Sequence, residues 1–331
     1  MKCAVIGAGA WGTALASLLS ENGHATTIWA LEPDVAEAIN MSQENPRFLP
    51  GMLLHHELRA TTDRAAGVDG AECIIYATPS HVLRDVAASM APWTARDATL
   101  VVATKGIERG RLALMTDVVA EQLPGRPVVA LSGPSFAVEV ARRLPTAIVA
   151  ASDDHAAAVR VQEACSSPSF RVYTHDDVLG VELGGALKNV MAVATGICDG
   201  LDLGLNARAA LITRGLAEIM RLGIKLGAQP ATFAGLAGIG DLVLTCTGQL
   251  SRNRSVGLEI GRGATLADVL SGRETVAEGI VTTESAYALA QREGVDMPIV
   301  AAVHRVLFER QPARWALVEL MARELRTEQD R

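Results

Sequence analysis

The chain has 331 residues, of which 49% are apolar and 20% charged, with a formal net charge of -7. That length predicts two cores rather than one, and the negative balance argues against nucleic acid as a partner. Five scattered cysteines (Cys3, Cys73, Cys165, Cys198, Cys246), without a Cys-x-x-Cys pair or metal-like histidine spacing, predict reduced thiols, no metal site and a cytoplasmic protein.

The chain opens on an apolar strand, Lys2–Ile6, of the type buried on both faces. Gly7-Ala8-Gly9-Ala10-Trp11-Gly12 follows, then a helical run Thr13–Glu21 and a strand Ala25–Trp29. This is G-x-G-x-x-G between a strand and a helix, the setting that dinucleotide binding requires. Gly7 makes the tight turn, Gly9 lets backbone approach a pyrophosphate, and Gly12 lets helix and sheet lie close. The pyrophosphate would sit at the helix N-terminus. Glu32, 20 residues after Gly12, is placed either to grip an adenosine ribose or to favour the start of a helix Pro33–Asn40.

Strands are predicted at Cys73–Ala77, Thr99–Ala103, Pro127–Leu131, Ala147–Ala151 and Phe170–Tyr173, with a helix Phe136–Arg142 among them. In open α/β sheets ligands bind beyond the carboxyl ends of the strands. Lys105 and the turn Gly133-Pro134-Ser135 stand at such ends. Lys105 is either a solvated loop lysine or a site lysine. Ser135 reads as a helix N-cap, in a turn that also offers N–H groups to an anion.

After Val178 the strands stop. Helices are predicted near Val181–Ile197, Ala207–Leu226, Arg254–Ile260, Leu266–Leu270, Thr283–Glu293, Pro298–Leu307 and Pro312–Leu325. No uninterrupted apolar stretch reaches the 18 or so residues of a membrane span. In the first of these helices Lys188 has Gly184, Gly185, Met191 and Ala192 at helical spacing. Its head either snorkels to water or meets a ligand that the small residues admit. Thr195 and Asp199 continue a thin polar stripe along the same helix. Two irregular pieces interrupt the helices. Thr232–Asp241 is glycine-rich and carries Asp241 as its one charge. Ser251-Arg252-Asn253-Arg254 is a donor cluster opening a helix, either a phosphate site or an exposed helix start.

These pieces together, Gly7–Gly12, Thr104-Lys105-Gly106, Gly133–Ala137, Glu182–Asn189, Gly235–Asp241 and Ser251–Asn253, resemble the bacterial-type NAD(P)-dependent sn-glycerol-3-phosphate dehydrogenases over nearly the whole chain. The resemblance implies reversible reduction of dihydroxyacetone phosphate to sn-glycerol 3-phosphate for phospholipid synthesis. It implies a Rossmann-type α/β domain with a mostly parallel sheet (1–180), an all-α domain (181–331), and a homodimer. Carried over by position, Lys188 is the catalytic lysine. Lys105, Gly133, Ser135, Lys188, Asp241, Ser251, Arg252 and Asn253 meet the substrate. Gly7, Gly9, Ala10, Trp11, Gly12, Lys105, Ala137, Arg252, Val276 and Glu278 meet the cofactor. Leu31 replaces the basic residue that many relatives carry after the second strand, so NAD(H) is favoured over NADP(H). The rival readings are a β-hydroxyacid dehydrogenase acting on a carboxylate substrate and a non-catalytic dinucleotide-sensing module.

Overall fold

The apolar run Lys2–Ile6 forms β1, at the middle of a large sheet. In a computed structural model of the chain, which describes residues 1–271, 277–325 and 327–328, α1 (Ala10–Glu21), β2 (Ala25–Trp29) and α2 (Pro33–Ser42) follow it. A small hairpin of β3 (Glu44–Asn45) and β4 (Leu49–Leu53) precedes β5 (Arg59–Thr61) and α3 (Arg64–Val68). Next come β6 (Cys73–Tyr76), a 3-10 turn at Ser80–Val82, α4 (Leu83–Met90), β7 (Thr99–Val102) and α5 (Met115–Gln122). The last strands and helices of this part are β8 (Val128–Ser132), α6 (Ala137–Ala141), β9 (Thr146–Ala151), α7 (His155–Cys165) and β10 (Phe170–His175).

Among the described residues the sheet has the order β10-β9-β8-β7-β6-β1-β2-β5, with every neighbouring pair parallel except β8 and β9. Alternate residues feed two cores, Cys3 and Val5 on one face and Ala4 and Ile6 on the other, which is why the strand reads apolar throughout. From β1 the order runs one way to β2 and the other way to β6. The carboxyl ends of β1 and β6 therefore flank the crevice where ligands of such sheets bind.

The rest is helical: α8 (Val178–Gly200), α9 (Gly204–Leu226), α10 (Pro230–Phe233), a π-helical turn (Leu236–Gly240), α11 (Asp241–Thr247), α12 (Arg252–Gly261), α13 (Leu266–Leu270), α14 (Glu278–Glu293), α15 (Pro298–Phe308) and α16 (Ala313–Met321). Asp177 caps α8 by accepting from Gly180 N at 2.8 Å, and its other oxygen accepts from Gln229 N at 2.9 Å. From Gly180 to Cys198 every residue of α8 is buried. Helix α8 and the stretch Pro230–Thr247 are each long and apolar enough to cross a membrane, which the criterion of an unbroken apolar run did not register. In α8, 83% of the apolar window is buried inside the fold, so packing against the other helices accounts for its character.

The two parts interlock. The loop after β7 leaves the sheet and sends Ile107, fully buried, into the helical core, with Leu112 and Leu114 packed behind it. Burying one isoleucine contributes about 1.5–3 kcal/mol. Lys105 is two residues from this anchor.

Candidate active site

The glycine turn has the shape its sequence predicts. A Cβ at Gly12 would lie 1.9 Å from Gly7 O, whereas one at Gly9 would meet nothing within 4 Å. Gly12 is thus needed for close packing, and Gly9 faces open space. Helix α1 starts at Ala10, earlier than expected, with Gly9 as N-cap, no side-chain cap and no acidic residue in its first turn. Its N-terminal dipole is left for an outside anion. Beside the turn, Trp11 Nε1 and Thr78 Oγ1 are buried without a hydrogen-bond partner among the described residues. Open space over Gly9, an uncapped helix start and two orphaned polar atoms fit a dinucleotide. Asn45, absent from the sequence reading, holds the turn by donating to Ala8 O and Thr13 Oγ1, both at 2.8 Å. At the rim Leu31 is 68% exposed. Glu32 is the N-cap of α2 but makes no side-chain cap bond, so its carboxylate is not spent on the helix.

Asp241, fully buried at the start of α11, lies between two lysines. Lys188 Nζ donates to its Oδ1 at 2.5 Å and Lys105 Nζ to its Oδ2 at 2.5 Å. Lys188 also donates to Thr245 Oγ1 at 2.9 Å, and Lys105 to Gly133 O at 3.2 Å. Each ammonium has three N–H bonds, so each keeps one beyond these contacts. Two cations around one anion leave a local excess of positive charge in a chain of net charge -7. Burial pushes the Lys188 amine down to about 8; Asp241 opposes that shift and Lys105 adds to it.

The small residues before Lys188 admit protein rather than a ligand. A Cβ at Gly184 would lie 2.5 Å from Ala237 O, in the π-helical turn that delivers Asp241. A Cβ at Gly185 would lie 2.5 Å from Ser132 Oγ and 3.6 Å from Lys105 Cδ. The two glycines leave room for the π-helical turn before Asp241 and for Ser132 and the Lys105 stem beside α8. Farther along α8 the polar stripe turns structural. Thr195 Oγ1 donates to Ala192 O, and Asp199 pairs with Arg254 at 2.7 Å and Arg208 at 3.0 Å.

A close crossing of α8 and α12 brings in the donor cluster: a Cβ at Gly257 would lie 2.0 Å from Val193 O. Ser251 caps α12, its Oγ accepting from Arg254 N at 3.3 Å. Arg252 is exposed at the first helical position, close enough to Glu278 to oppose the rise in that carboxyl's pKa that burial causes. Asn253 is committed to protein at both ends. Its Nδ2 donates to Asn189 Oδ1 and its Oδ1 accepts from Gly279 N, both at 2.9 Å. Glu278 opens α14, five residues before the predicted start, and accepts from Ser80 N at 3.1 Å and Ser80 Oγ at 2.6 Å.

The N-cap reading of Ser135 is corrected. Phe136 is the N-cap of α6, and Ser135 Oγ instead donates to Gly133 O at 3.0 Å, the carbonyl that also holds Lys105. Ala137 stands at the start of α6, and Val276 lies outside the described residues. Lys105, Lys188 and Asp241 meet directly, with Gly133 and Ser135 against Lys105. Thr245, Asn189 and Ser80 join this region without having been singled out.

Family models described as the NAD-dependent glycerol-3-phosphate dehydrogenase N-terminus and C-terminus match residues 2–158 and 177–318. The chain belongs to this family. A glycerol-3-phosphate dehydrogenase [NAD(P)+] of Geobacter sp. (strain M21) is 53% identical over 330 residues, covering 99% of this chain and 98% of the relative. One from Geobacter sulfurreducens is 54% identical over 330 residues, with the same coverage of 99% and 98%. The crystal structure of the glycerol-3-phosphate dehydrogenase of Coxiella burnetii superposes with a TM-score of 0.94 at 41% identity, covering 97% of this chain and 99% of that one. The family is one of NAD(P)-dependent oxidoreductases, and the Rossmann-type sheet with a helical C-terminal part is its fold.

Proposed function

We propose that the chain reduces dihydroxyacetone phosphate to sn-glycerol 3-phosphate, reversibly and with NAD(P)H, as a homodimer in the cytoplasm, with residues 1–180 as the dinucleotide domain and 181–331 as the helical domain. The observation that carries the reaction is the Lys188–Asp241–Lys105 cluster at 2.5 Å contacts. Bound cofactor supplies the hydride. Lys188 is the proton donor: the N–H it has left over reaches the ketone oxygen, stabilises the charge that develops there and transfers its proton. In the reverse direction the neutral amine accepts the proton, and an amine at about 8 can serve both directions near neutral pH. Asp241 keeps Lys188 oriented, and Lys105, on the other oxygen of that carboxylate, offsets its negative charge. Arg252 with the start of α12 holds the phosphate, and Gly133, Ser135, Ser251 and Asn253 shape the rest of the pocket. Gly7, Gly9, Ala10, Trp11, Gly12, Ala137 and Glu278 would hold the cofactor. Initial rates with dihydroxyacetone phosphate, NADH and NADPH test the reading. Turnover of a 2-methyl-3-oxo acid in place of the ketose phosphate overturns it.

Arg252→Ala is expected to raise KM for dihydroxyacetone phosphate by about ten- to a hundredfold, the loss of one charge-assisted contact, with a smaller effect on the cofactor. Unphosphorylated dihydroxyacetone, a poor substrate for the parent, is expected to be little affected. Equal proportional losses on both substrates contradict a phosphate role.

NADH is expected to serve at least as well as NADPH. The two differ by a ribose phosphate that would meet the Ala30-Leu31-Glu32 rim. Leu31 offers it no charge, and Glu32 repels it and can accept from a ribose hydroxyl instead. Arg47 and Arg64 are the cations that could reverse this, and the Arg47 guanidinium lies 3.9 Å from the Asp34 carboxylate. Comparing kcat/KM for both cofactors in the parent and in Leu31→Arg decides the matter. A parent preferring NADPH by about tenfold, a margin of roughly 1.4 kcal/mol, or a Leu31→Arg enzyme with no relative gain for NADPH, contradicts it.

A further inference from the structure

Ser80 and Glu278 stand 198 positions apart, one on the loop after β6 and the other at the first turn of α14. Ser80 is 4% exposed. Its N–H and O–H grip both oxygens of the Glu278 carboxylate, at 3.1 and 2.6 Å. The carboxylate also sits where the dipole of α14 favours negative charge. Gly106, next to Lys105, closes over this pair: a Cβ there would lie 2.7 Å from Ser80 Cβ and 3.7 Å from Glu278 Oε2.

The residue after Glu278 starts a chain of hydrogen bonds whose direction is forced. A backbone N–H can only donate, so Gly279 N obliges Asn253 Oδ1 to accept, at 2.9 Å. Asn253 must then donate with Nδ2, and Asn189 Oδ1 accepts it at 2.9 Å. Asn189 is left with its own amide donor, at the position next to Lys188. Had Gly279 N been elsewhere, both amides could turn over and present a carbonyl oxygen instead.

We propose that Ser80 is a positioning residue of the reaction. By pinning Glu278 it fixes the start of α14 from the dinucleotide side of the cleft, and through Gly279 N–H it sets the amide order that ends in the Asn189 donor, one residue from Lys188. The proposal rests on the reading of this cleft as the site of ketone reduction. It gives the loop at the carboxyl end of β6 a role in the helical half of the site.

The test is a double-mutant cycle of Ser80→Ala and Glu278→Gln in the full chain. Three quantities are read: NADH dissociation constant by fluorescence titration without substrate, kcat with dihydroxyacetone phosphate at saturating NADH, and the thermal midpoint. Ser80→Ala keeps the backbone N–H and removes one charge-assisted bond. The expected result is an NADH Kd about tenfold higher and a kcat about tenfold lower. Ser80→Cys, with a weak donor at the same place, is expected to fall between, and it carries the cycle if the alanine variant does not fold. Because Ser80 acts through Glu278, either substitution is expected to have a smaller effect in the Glu278→Gln background, where a neutral amide replaces the charge-assisted partner. An effect that persists at full size in that background, or a folded Ser80→Ala enzyme with parental Kd and kcat, overturns the proposal. A structural role alone lowers the thermal midpoint and leaves Kd and kcat in place. If the parent does not turn over dihydroxyacetone phosphate, the reading of the reaction fails, while the NADH cycle still reports on Ser80.

Discussion

Lys188→Met is expected to reduce dihydroxyacetone phosphate at least about 10²–10⁴-fold more slowly than the parent, while binding NADH with parental affinity. Methionine is close in length and apolar, so it fills the channel of a side chain that is 7% exposed, and it brings no charge. The ammonium is lost, and with it the proton donor and the stabilisation of the developing alkoxide. The glycine turn and α1 supply none of the hydrogen-bond partners of Lys188. Steady-state rates and a fluorescence titration of NADH separate the two effects. The pH dependence in the parent has a definite sign. Ketone reduction needs the protonated amine, so its rate falls as pH rises through about 8, and alcohol oxidation rises through the same pH. A Lys188→Met enzyme that retains near-parental turnover removes the lysine from the mechanism.

The second large effect is expected at Asp241. Asp241→Asn takes the anion from between two lysines and leaves a single carbonyl oxygen, which can serve one of them while the amide NH₂ faces the other. Removing one partner of a buried ion pair costs about 3–5 kcal/mol, and here two cations lose the same partner. Chemical denaturation is expected to show a loss of that size. Asp241 is also the group that holds the Lys188 amine up against burial and Lys105. Without it both remaining influences act downward, so the pH at which reduction falls off moves lower. An asparagine variant with parental stability and a parental pH profile would clear Asp241 of both roles.

Which residues could be read from the sequence follows from how each declares itself. Lys188 stands out because a lysine among apolar neighbours on a helix is anomalous wherever the helix goes. Asp241 stands out as the one charge in a glycine-rich stretch. The Gly7–Gly12 turn carries its own context in the strand before it and the helix after it. Ser80, Asn189, Thr245 and Asn45 have no such mark. Each is a common polar residue whose role depends on a partner dozens of positions away, such as Glu278 for Ser80 or Ala8 for Asn45. Strands β3, β4 and β5 were not anticipated. Two of them span 2 and 3 residues, and β4 contains Pro50 and Gly51, so none shows a period of two. A serine before a short helix suits an N-cap, as Ser135 does in the sequence, while the backbone here gives that place to Phe136. Helix α14 starts at Glu278 rather than at the expected Thr283, because Gly279 hides its first turn, which is the turn that meets Ser80.

Ile107 carries a consequence for anyone exchanging parts between relatives. The chain passes from sheet to helices after β10, and a chimaera would naturally be joined there. In space the seam lies elsewhere, because Ile107, Leu112 and Leu114 pack with the helices. A graft joined after β10 would inherit a foreign wedge in its helical half and would set Lys105 by the donor's loop rather than its own. The unit of exchange that respects the packing is the helical half together with residues 106–114.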